Sequence, residues 1–318
     1  MKICIIGAGA IGGLMAARLS RAGNDVTVID RGAHLATIRS HGLRLIGDDG
    51  SEVLADVRAL ETAANAGQQD LVILAVKAHT LETIAPDVAA LTGPETIYLT
   101  TQNGLPWWYF HKHGGPYDGL RIANLDPDGI LAQHIDPDRI TGCVVYPAAA
   151  LVAPGVIRHV EGDRFPIGEL DGTQSSRIDR LAHTLTAAGL KSRVLDDIRS
   201  EIWLKVWGNL SFNPISALTH ATLSDIATFP ETRLLATTMM SEAQDVAAKL
   251  GITFRHTIEK RIAGAQAVGA HKTSMLQDVE AGRRLETEAL IGSILELAHL
   301  TRTPAPSIEA VYACTKLL

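Results

Sequence analysis

Three polar residues, Lys205, Asn209 and Asn213, follow one another at intervals of four in the otherwise apolar stretch WLKVWGNLSFNP (203–214). At 3.6 residues per turn this spacing rotates each side chain by only about 40°, so a helix would carry them as one polar stripe. An ammonium group can bind an oxygen atom of a small molecule and donate a proton to it, and two carboxamides can hold further oxygen atoms by hydrogen bonds. Each such group costs about 1–3 kcal/mol if it is buried without a partner, so the stripe should face either solvent or a wet cleft that holds a ligand.

A second stretch with polar candidates, HKTSMLQDVEAGRRLETEALIG (271–292), has the pattern of a helix start. Ser274 followed by Gln277 forms a capping-box pattern, so Ser274 is expected either to cap a helix, to bind a ligand, or to do both. Glu286 lies twelve residues further on, and its position alone is typical of a solvated helix acid.

A glycine motif at the N-terminus indicates a phosphate-binding loop. It connects the apolar run KICIIG to the helical pattern AIGGLMAARLSRAG, and it comprises Gly7, Ala8, Gly9, Ala10, Ile11 and Gly12. Gly7 permits a tight turn, Gly9 lets a pyrophosphate approach the backbone, and Gly12 lets helix and strand pack closely. A second strand, DVTVID, completes a βαβ unit, so the sequence predicts a dinucleotide site.

The second strand ends in Asp30 and Arg31, which point to different cofactors. A carboxylate at this place accepts hydrogen bonds from the adenosine ribose and favours NAD, whereas an arginine holds the 2′-phosphate of NADP. The residues themselves leave the choice open.

Two further strands are predicted at 70–77 and 96–103, and both end in polar residues, Lys77 and Gln102-Asn103-Gly104. Ligands of open α/β sheets bind beyond the carboxyl ends of the strands, so these residues should border the nicotinamide end of the site. The aromatic cluster at 107–110 has the pattern of a helix start that packs on the core. Alternating apolar runs between 120 and 170 predict strands that complete the sheet, followed by a helix near 173–188 and a strand at KSRVL.

The chain changes character at 198, where long helical patterns begin and strand patterns become scarce. The fold class expected is therefore α/β: an N-terminal Rossmann-type, doubly wound sheet (residues 1–197) with an all-α C-terminal domain (residues 198–318). Loops within the second domain are predicted at Pro214, Pro230 and Gly251.

Composition excludes several other classes. The 318 residues are 46% hydrophobic and carry a formal charge of −6, which gives no basic field for nucleic acid and no polybasic membrane patch. The three cysteines are far apart and lack metal-ligand spacing, so neither a disulfide framework nor a metal site is expected, and a reducing cytoplasm fits best. The glycines and arginines near the N-terminus argue against a signal peptide.

The landmarks resemble those of the ketopantoate reductase (2-dehydropantoate 2-reductase) family along nearly the whole chain. They are the 7–12 motif, AVK at 75–77, QNG at 102–104, Lys205 with Asn209, NP at 213–214, and TSMLQD at 273–278 followed by Glu286. The resemblance implies NADPH-dependent reduction of a 2-keto acid to a D-2-hydroxy acid, which in pantothenate synthesis is 2-dehydropantoate to D-pantoate. It also favours a homodimer, for which the sequence gives no interface.

The resemblance also implies residue roles. Lys205 matches the proton donor in an interdomain cleft, Asn209, Asn213 and Ser274 match substrate contacts, and Asn103 touches both ligands. The residues that match cofactor contacts, besides the glycine motif, are Arg31 at the 2′-phosphate, Lys77, Ala148 and Glu286.

Other functions remain open at this stage. Asp30 keeps NAD as an alternative cofactor, because a carboxylate would repel a phosphate at close range. His271 and the bulky GLPWWYF segment depart from the family pattern on the substrate side, so another branched 2-keto acid is an alternative substrate. A sensor that binds the nucleotide without turnover is the alternative from a different class, and an intact polar stripe argues against it.

Overall fold

The structure is a computed structural model that describes all residues from 1 to 318, and it divides into two compact units. Unit 1 comprises Met1–Gln102, Phe110–Leu120 and Gly129–Ile198. Unit 2 comprises Asn103–Tyr109, Arg121–Asp128 and Arg199–Leu318. Two short segments that lie early in the sequence therefore belong to the unit that also contains the C-terminal third of the chain.

Unit 1 is built on a seven-stranded sheet. Its strands are β1 Lys2–Ile6, β2 Asp25–Ile29, β5 Arg58–Leu60, β6 Gln69–Leu74, β7 Thr92–Thr100, β8 Ile140–Cys143 and β11 Ile167–Glu169. Their order in the sheet is β11-β8-β7-β6-β1-β2-β5, and all neighbours are parallel except β11, which pairs antiparallel with β8. The predicted α/β class and the four strands predicted from apolar runs are confirmed.

The strand order places the glycine motif at the reversal point of the sheet. Chain connection runs from β1 outward to β2 on one side, and then returns to β6 on the other side of β1. Open α/β sheets bind their ligands in the crevice at such a reversal, beyond the carboxyl ends of the strands. The loop that follows β1 therefore lies where a dinucleotide is expected.

A second, four-stranded sheet in unit 1 was not predicted. It is formed by β3 Leu43–Ile46, β4 Glu52–Ala55, β9 Ala148–Ala153 and β10 Val156–Glu161, in the order β4-β3-β10-β9. The expectation that strands between 120 and 170 complete the main sheet is confirmed for β8 and β11 and was wrong for β9 and β10. The strand expected at KSRVL is also absent, because that segment forms only isolated bridges at Lys191 and Val194.

The helices of unit 1 are α1 Ala10–Arg21, α2 Gly32–His41, α3 Leu81–Val88, α4 Ile130–His134 and α5 Ser176–Ala187. Single turns of 3-10 helix occur at Ala63–Asn65, Ala78–Thr80, Ala89–Leu91, Gly115–Tyr117 and Pro137–Arg139. Helix α1 contacts β1 and β2 of the first sheet and all four strands of the second. Burial on both sides explains why its sequence is apolar and rich in small residues.

Unit 2 is helical, as predicted. Its helices are α6 Ile198–Thr219, α7 Leu223–Thr228, α8 Pro230–Lys249, α9 Ile258–Val268, α10 Ser274–Glu280, α11 Ser293–Thr301 and α12 Pro306–Lys316, with a π-helical segment at Glu288–Gly292. The loop predicted at Pro214 was wrong, because α6 continues through it. Proline removes one backbone donor and costs about 3 kcal/mol inside a helix. The residues of α6 before and after Pro214 are buried, and their packing offsets this cost.

Helix α6 runs through the core of unit 2. Every residue from 201 to 217 is buried except Lys205 and Asn209, which are half-buried. The indole N–H of Trp207 donates to the carbonyl oxygen of Met240 at 2.6 Å, and that of Trp203 donates to the Tyr109 hydroxyl at 2.7 Å. The two tryptophans of WLKVWGNLSFNP therefore have fixed partners. Lys205 and Asn209 are the residues of the polar stripe that reach the surface, whereas Asn213 is buried.

The two early segments are bound to unit 2 by specific hydrogen bonds. The Glu296 carboxylate accepts the backbone N–H groups of Ala123 and Asn124 at 2.6 and 2.8 Å. The Arg199 side chain donates to the backbone oxygen of Tyr109 at 2.8 Å. These contacts explain why 103–109 and 121–128 group with residues that follow them much later in the chain.

Candidate functional site

The glycine motif forms a tight turn that only glycine allows at two positions. Gly7 has a φ of +93°, and a β-carbon there would lie 2.8 Å from Cγ1 of Val76. A β-carbon on Gly12 would lie 1.8 Å from the carbonyl oxygen of Gly7 and 2.9 Å from the β-carbon of Ala75. Helix α1 therefore starts in direct contact with the turn, so its first amides point out of the loop.

Gly9 serves a different purpose, because space rather than backbone contact surrounds it. No heavy atom lies within 4 Å of the position that a β-carbon on Gly9 would occupy. Gly9 is also the N-cap of α1, which has no side-chain cap and no acidic residue in its first turn. An uncapped helix start with positive amide dipoles and open space in front of it fits a phosphate group.

Asp30 is engaged by the backbone of the loop. Its carboxylate accepts the N–H of Ala8 at 2.7 Å through one oxygen and the N–H of Arg31 at 2.7 Å through the other. Arg31 follows as the N-cap residue of α2, and its side chain is exposed. The two residues that pointed to different cofactors in the sequence thus have different tasks here, because Asp30 holds the loop while Arg31 faces outward.

His34 on α2 contacts the glycine motif, and the sequence analysis missed it. The N–H of Gly155 donates to Nδ1 of His34 at 2.9 Å, so Nδ1 is an acceptor and the proton is on Nε2. Nε2 then donates to the carbonyl oxygen of Ala8 at 2.8 Å. One imidazole therefore links the glycine motif to the turn between β9 and β10, and no local pattern in the sequence marks this contact.

The other residues of unit 1 that were expected at the cofactor lie after or at the start of strands. Lys77 follows β6 by three residues and is half-buried. Ala148 opens β9 in the second sheet and is also half-buried. The Gln102 side chain donates to the carbonyl oxygens of Leu74 and Val76 at 2.7 and 3.0 Å, which fixes the loop between β6 and Lys77.

Lys205 and Asn103, which are far apart in the sequence, are in contact in unit 2. The Lys205 ammonium donates to Oδ1 of Asn103 at 2.6 Å, and both residues are half-buried. The acceptor fixes the direction of a long, flexible side chain, since an unpaired lysine would sample many rotamers. The arrangement presents an ordered cation at a partly exposed position of an otherwise buried helix.

The glycine after Asn103 holds this residue in place. Gly104 has a φ of +89°, and a β-carbon there would lie 2.1 Å from the carbonyl oxygen of Ala289 in the π-helical segment. The N–H of Leu105 donates to the same oxygen at 3.0 Å. The Asn-Gly pair is therefore more than a turn, since it packs against an irregular helix and the next residue donates to a backbone oxygen of that helix.

The remaining substrate candidates lie on α6 and at the start of α10. Nδ2 of Asn213 donates to Oγ of Ser274 at 3.5 Å, and Asn209 is half-buried one turn earlier. Ser274 does not cap α10, because the side chain of Thr273 accepts the N–H of Leu276 and takes that role. The Ser274 hydroxyl is exposed and lies outside the cap. Glu286 is buried, not solvated as its position alone suggested.

The aromatic cluster packs in the interior without forming a helix. Trp107, Trp108, Tyr109 and Phe110 are all buried, and they occupy successive turns.

None of the helices has the length and hydropathy to cross a membrane. No group of three or more histidine, cysteine, aspartate or glutamate side chains is arranged to hold a metal ion, and the three cysteines are free thiols.

Unit 1 has a parallel sheet with a glycine turn at its reversal point, and unit 2 is helical and carries an ordered lysine. These features define the class of two-unit dinucleotide-binding oxidoreductase folds. The model of the family described as ketopantoate reductase PanE/ApbA matches residues 3–172, and that of the ketopantoate reductase PanE/ApbA C-terminal domain matches residues 197–318. The chain belongs to the ketopantoate reductase family.

Individual relatives cover the chain from end to end. A curated 2-dehydropantoate 2-reductase of Mesorhizobium japonicum is 53% identical over 100% of this chain and 98% of its own length. A solved structure from Ralstonia solanacearum MolK2 superposes with a TM-score of 0.95, at 40% identity, over 99% of this chain and 97% of that one. The crystal structure of a 2-dehydropantoate 2-reductase from Geobacter metallireducens GS-15 has a TM-score of 0.86 and 26% identity, with 100% and 99% covered.

Proposed function

We propose that the protein is a 2-dehydropantoate 2-reductase that uses NADPH to reduce the keto group of 2-dehydropantoate to the hydroxyl group of D-pantoate. The observation that carries the proposal is the Lys205–Asn103 hydrogen bond of 2.6 Å at the partly exposed stripe of α6. Membership of the ketopantoate reductase family along the whole chain supports it, as does the 53% identity to a curated 2-dehydropantoate 2-reductase.

Lys205 supplies the proton and the charge that the reaction needs. A bound nicotinamide dinucleotide would supply the hydride to the carbonyl carbon of the keto acid. Negative charge then develops on the carbonyl oxygen, and a lysine ammonium within hydrogen-bond reach stabilises this charge and donates a proton to it. Asn103 accepts one N–H of the ammonium and directs the group, and the ammonium is proposed to donate to the substrate oxygen as well.

Asn209, Asn213 and Ser274 supply further polar groups for the substrate. The Asn213 and Ser274 side chains already lie 3.5 Å apart, so a single hydroxyl or carboxylate oxygen can accept from both. Asn209 extends the stripe one turn toward Lys205. Lys77, Ala148 and Glu286 are proposed to contact the cofactor.

The residues of the glycine loop fit a dinucleotide with a 2′-phosphate. The pyrophosphate would bind at the open face of Gly9 and the uncapped start of α1. Both oxygens of the Asp30 carboxylate already accept backbone N–H groups, while the Arg31 side chain is exposed. We therefore assign the 2′-phosphate to Arg31 and NADPH as the preferred cofactor.

A cytoplasmic location and a homodimer stay predictions.

The proposal is tested by turnover of 2-dehydropantoate with NADPH and with NADH, followed at the nicotinamide absorbance. The Lys205→Ala variant is expected to lose about 10²- to 10⁴-fold in kcat, because it lacks the proton donor, and to bind NADPH normally in a fluorescence titration. Lys249→Ala, which removes an exposed lysine of α8, is the control and should keep full activity.

Arg31→Ser tests the cofactor assignment. It should weaken NADPH by about 10- to 100-fold, the loss expected for a charge-assisted hydrogen bond, and leave NADH unchanged. Near wild-type turnover by Lys205→Ala would contradict the assigned mechanism. Wild-type protein that reduces other 2-keto acids but not 2-dehydropantoate would contradict the assigned substrate.

A further inference from the structure

The imidazole of His34 fixes one peptide group of the glycine motif. Its Nε2 donates to the carbonyl oxygen of Ala8 at 2.8 Å. Ala8 is completely buried, and no backbone N–H donates to this oxygen. A buried carbonyl oxygen without a donor is costly, so the contact with His34 holds the peptide group between Ala8 and Gly9 in one orientation.

The opposite end of this peptide group is the N–H of Gly9. A trans peptide group is planar, and its C=O and N–H point in opposite directions. No peptide bond of the protein is cis, so the N–H of Gly9 is directed away from His34. This N–H donates to no acceptor of the protein, and the space beside Gly9 is open.

The two amides that precede Gly9 in the motif are already used within the protein. The N–H of Gly7 donates to the carbonyl oxygen of Ile29 at 2.9 Å. The N–H of Ala8 donates to the Asp30 carboxylate at 2.7 Å. Gly9 therefore carries the first amide of the motif that remains for an anion, and the direction of this amide depends on the peptide group that His34 holds.

His34 is itself held from its other side by the second sheet. The N–H of Gly155, in the turn between β9 and β10, donates to Nδ1 of His34 at 2.9 Å. The carbonyl oxygen of Gly155 in turn accepts the N–H of Arg44 at 2.8 Å. A β-carbon on Gly155 would lie 2.7 Å from Cγ2 of Thr37, three residues after His34 on α2, so this turn lies directly against the helix. Both ring nitrogens of His34 thus have fixed partners, and the ring cannot turn without breaking a hydrogen bond.

We infer that His34 is a positioning residue for the pyrophosphate of the dinucleotide. It acts through the peptide group between Ala8 and Gly9, because it directs the N–H of Gly9 toward a phosphate oxygen. This inference rests on the proposed binding of the pyrophosphate at Gly9. It assigns part of the cofactor affinity to a side chain outside the glycine motif and to the second sheet, which holds that side chain.

Two substitutions of His34 separate positioning from packing. His34→Leu keeps a side chain of similar size but removes both hydrogen bonds. His34→Gln has an acceptor oxygen and a donor nitrogen on one side chain, so it can accept from Gly155 and donate to Ala8. His41→Leu, which removes an exposed histidine of the same helix, is the matched control.

Dissociation constants are measured by calorimetry for NADPH and for adenosine 2′-monophosphate, which has the 2′-phosphate but no pyrophosphate. His34→Leu should weaken NADPH by about 10- to 100-fold, the loss expected for one charge-assisted hydrogen bond, and leave adenosine 2′-monophosphate unchanged. His34→Gln should recover most of the affinity for NADPH, and His41→Leu should bind both ligands as the wild type does.

Steady-state kinetics give a second readout. At saturating NADPH, kcat and KM for 2-dehydropantoate should stay within about threefold of wild type in every variant, because the change affects binding of the cofactor and not the residues of α6. Urea denaturation establishes that each variant is folded. If His34→Leu does not fold, His34→Ala, which adds no bulk, is titrated in its place.

Unchanged affinity for NADPH in His34→Leu would overturn the inference. Equal losses for NADPH and adenosine 2′-monophosphate would also overturn it, since they would indicate a distorted unit rather than a turned peptide group, and so would a His34→Gln protein as weak as His34→Leu. The titrations need no turnover. A protein whose NADPH affinity depends on His34 but that does not reduce 2-dehydropantoate would therefore overturn the proposed substrate and support this inference.

Discussion

Replacing Gly9 by alanine should separate cofactor binding from folding. The backbone at Gly9 is extended, with φ of −62° and ψ of −161°, a conformation that alanine adopts without strain. No heavy atom lies within 4 Å of the new methyl group. Gly12→Ala is the matched comparison, because its methyl group would lie 1.8 Å from the carbonyl oxygen of Gly7.

The expected magnitudes follow from these contacts. Gly9→Ala restricts the unfolded chain, which favours folding by about 0.4–1 kcal/mol, and gives a poorer helix cap, which opposes it by a similar amount. Its free energy of unfolding should therefore stay within about 1 kcal/mol of wild type. Gly12→Ala pushes α1 away from the turn, and such overpacking costs about 1–3 kcal/mol. In Gly9→Ala the methyl group fills the proposed phosphate position, so loss of one charge-assisted hydrogen bond should weaken NADPH by about 10- to 100-fold.

Urea denaturation gives the free energies, and titration of NADPH fluorescence gives the dissociation constants. We expect Gly9→Ala to lose affinity with its stability intact, and Gly12→Ala to lose both. A Gly9→Ala protein that binds NADPH as tightly as wild type would refute the placement of the pyrophosphate over Gly9. A large loss of stability in that variant would refute the open space around it.

Two further predictions concern buried groups away from the glycine turn. The Glu242 carboxylate accepts the N–H groups of Ser307 and Ile308 at 3.0 and 2.9 Å. Because glutamine offers only one acceptor oxygen, Glu242→Gln should lower the free energy of unfolding by about 1.5–3 kcal/mol. Unchanged urea denaturation curves would contradict this prediction. Burial raises the pKa of the Cys4 thiol to about 12, whereas Cys314 is exposed, so a disulfide reagent at pH 8 should label Cys314 in the native protein and reach Cys4 only after unfolding.

The fold could be predicted from the sequence where its patterns are local. Strands β1, β2, β6 and β7 each contain a short segment rich in apolar or β-branched residues, and the glycine motif identifies the turn between β1 and α1. The second sheet could not be predicted in this way. Its strand β3 is four residues long and pairs with β10, more than a hundred residues further along the chain, so no window of sequence contains both partners.

The residues of the candidate site could likewise be predicted only where their sequence pattern is local. The spacing of Lys205, Asn209 and Asn213 identifies one face of a helix, of which Lys205 and Asn209 reach the surface while Asn213 is buried. His34 carries no such pattern. It acquires its place through the carbonyl oxygen of Ala8 on another element, and such a contact exists only after the chain has folded.

The assembly of unit 2 from three separate stretches of chain affects how the protein can fold during synthesis. Residues 103–109 leave the ribosome early, but the N–H of Leu105 binds Ala289 and the Tyr109 hydroxyl binds Trp203. At about 5–20 residues per second, a segment with two tryptophans waits roughly 10–40 s for the last of these partners. Unit 2 can therefore complete its packing only after residue 289 has been synthesised, and until then this aromatic segment lacks partners that bind it in the folded protein.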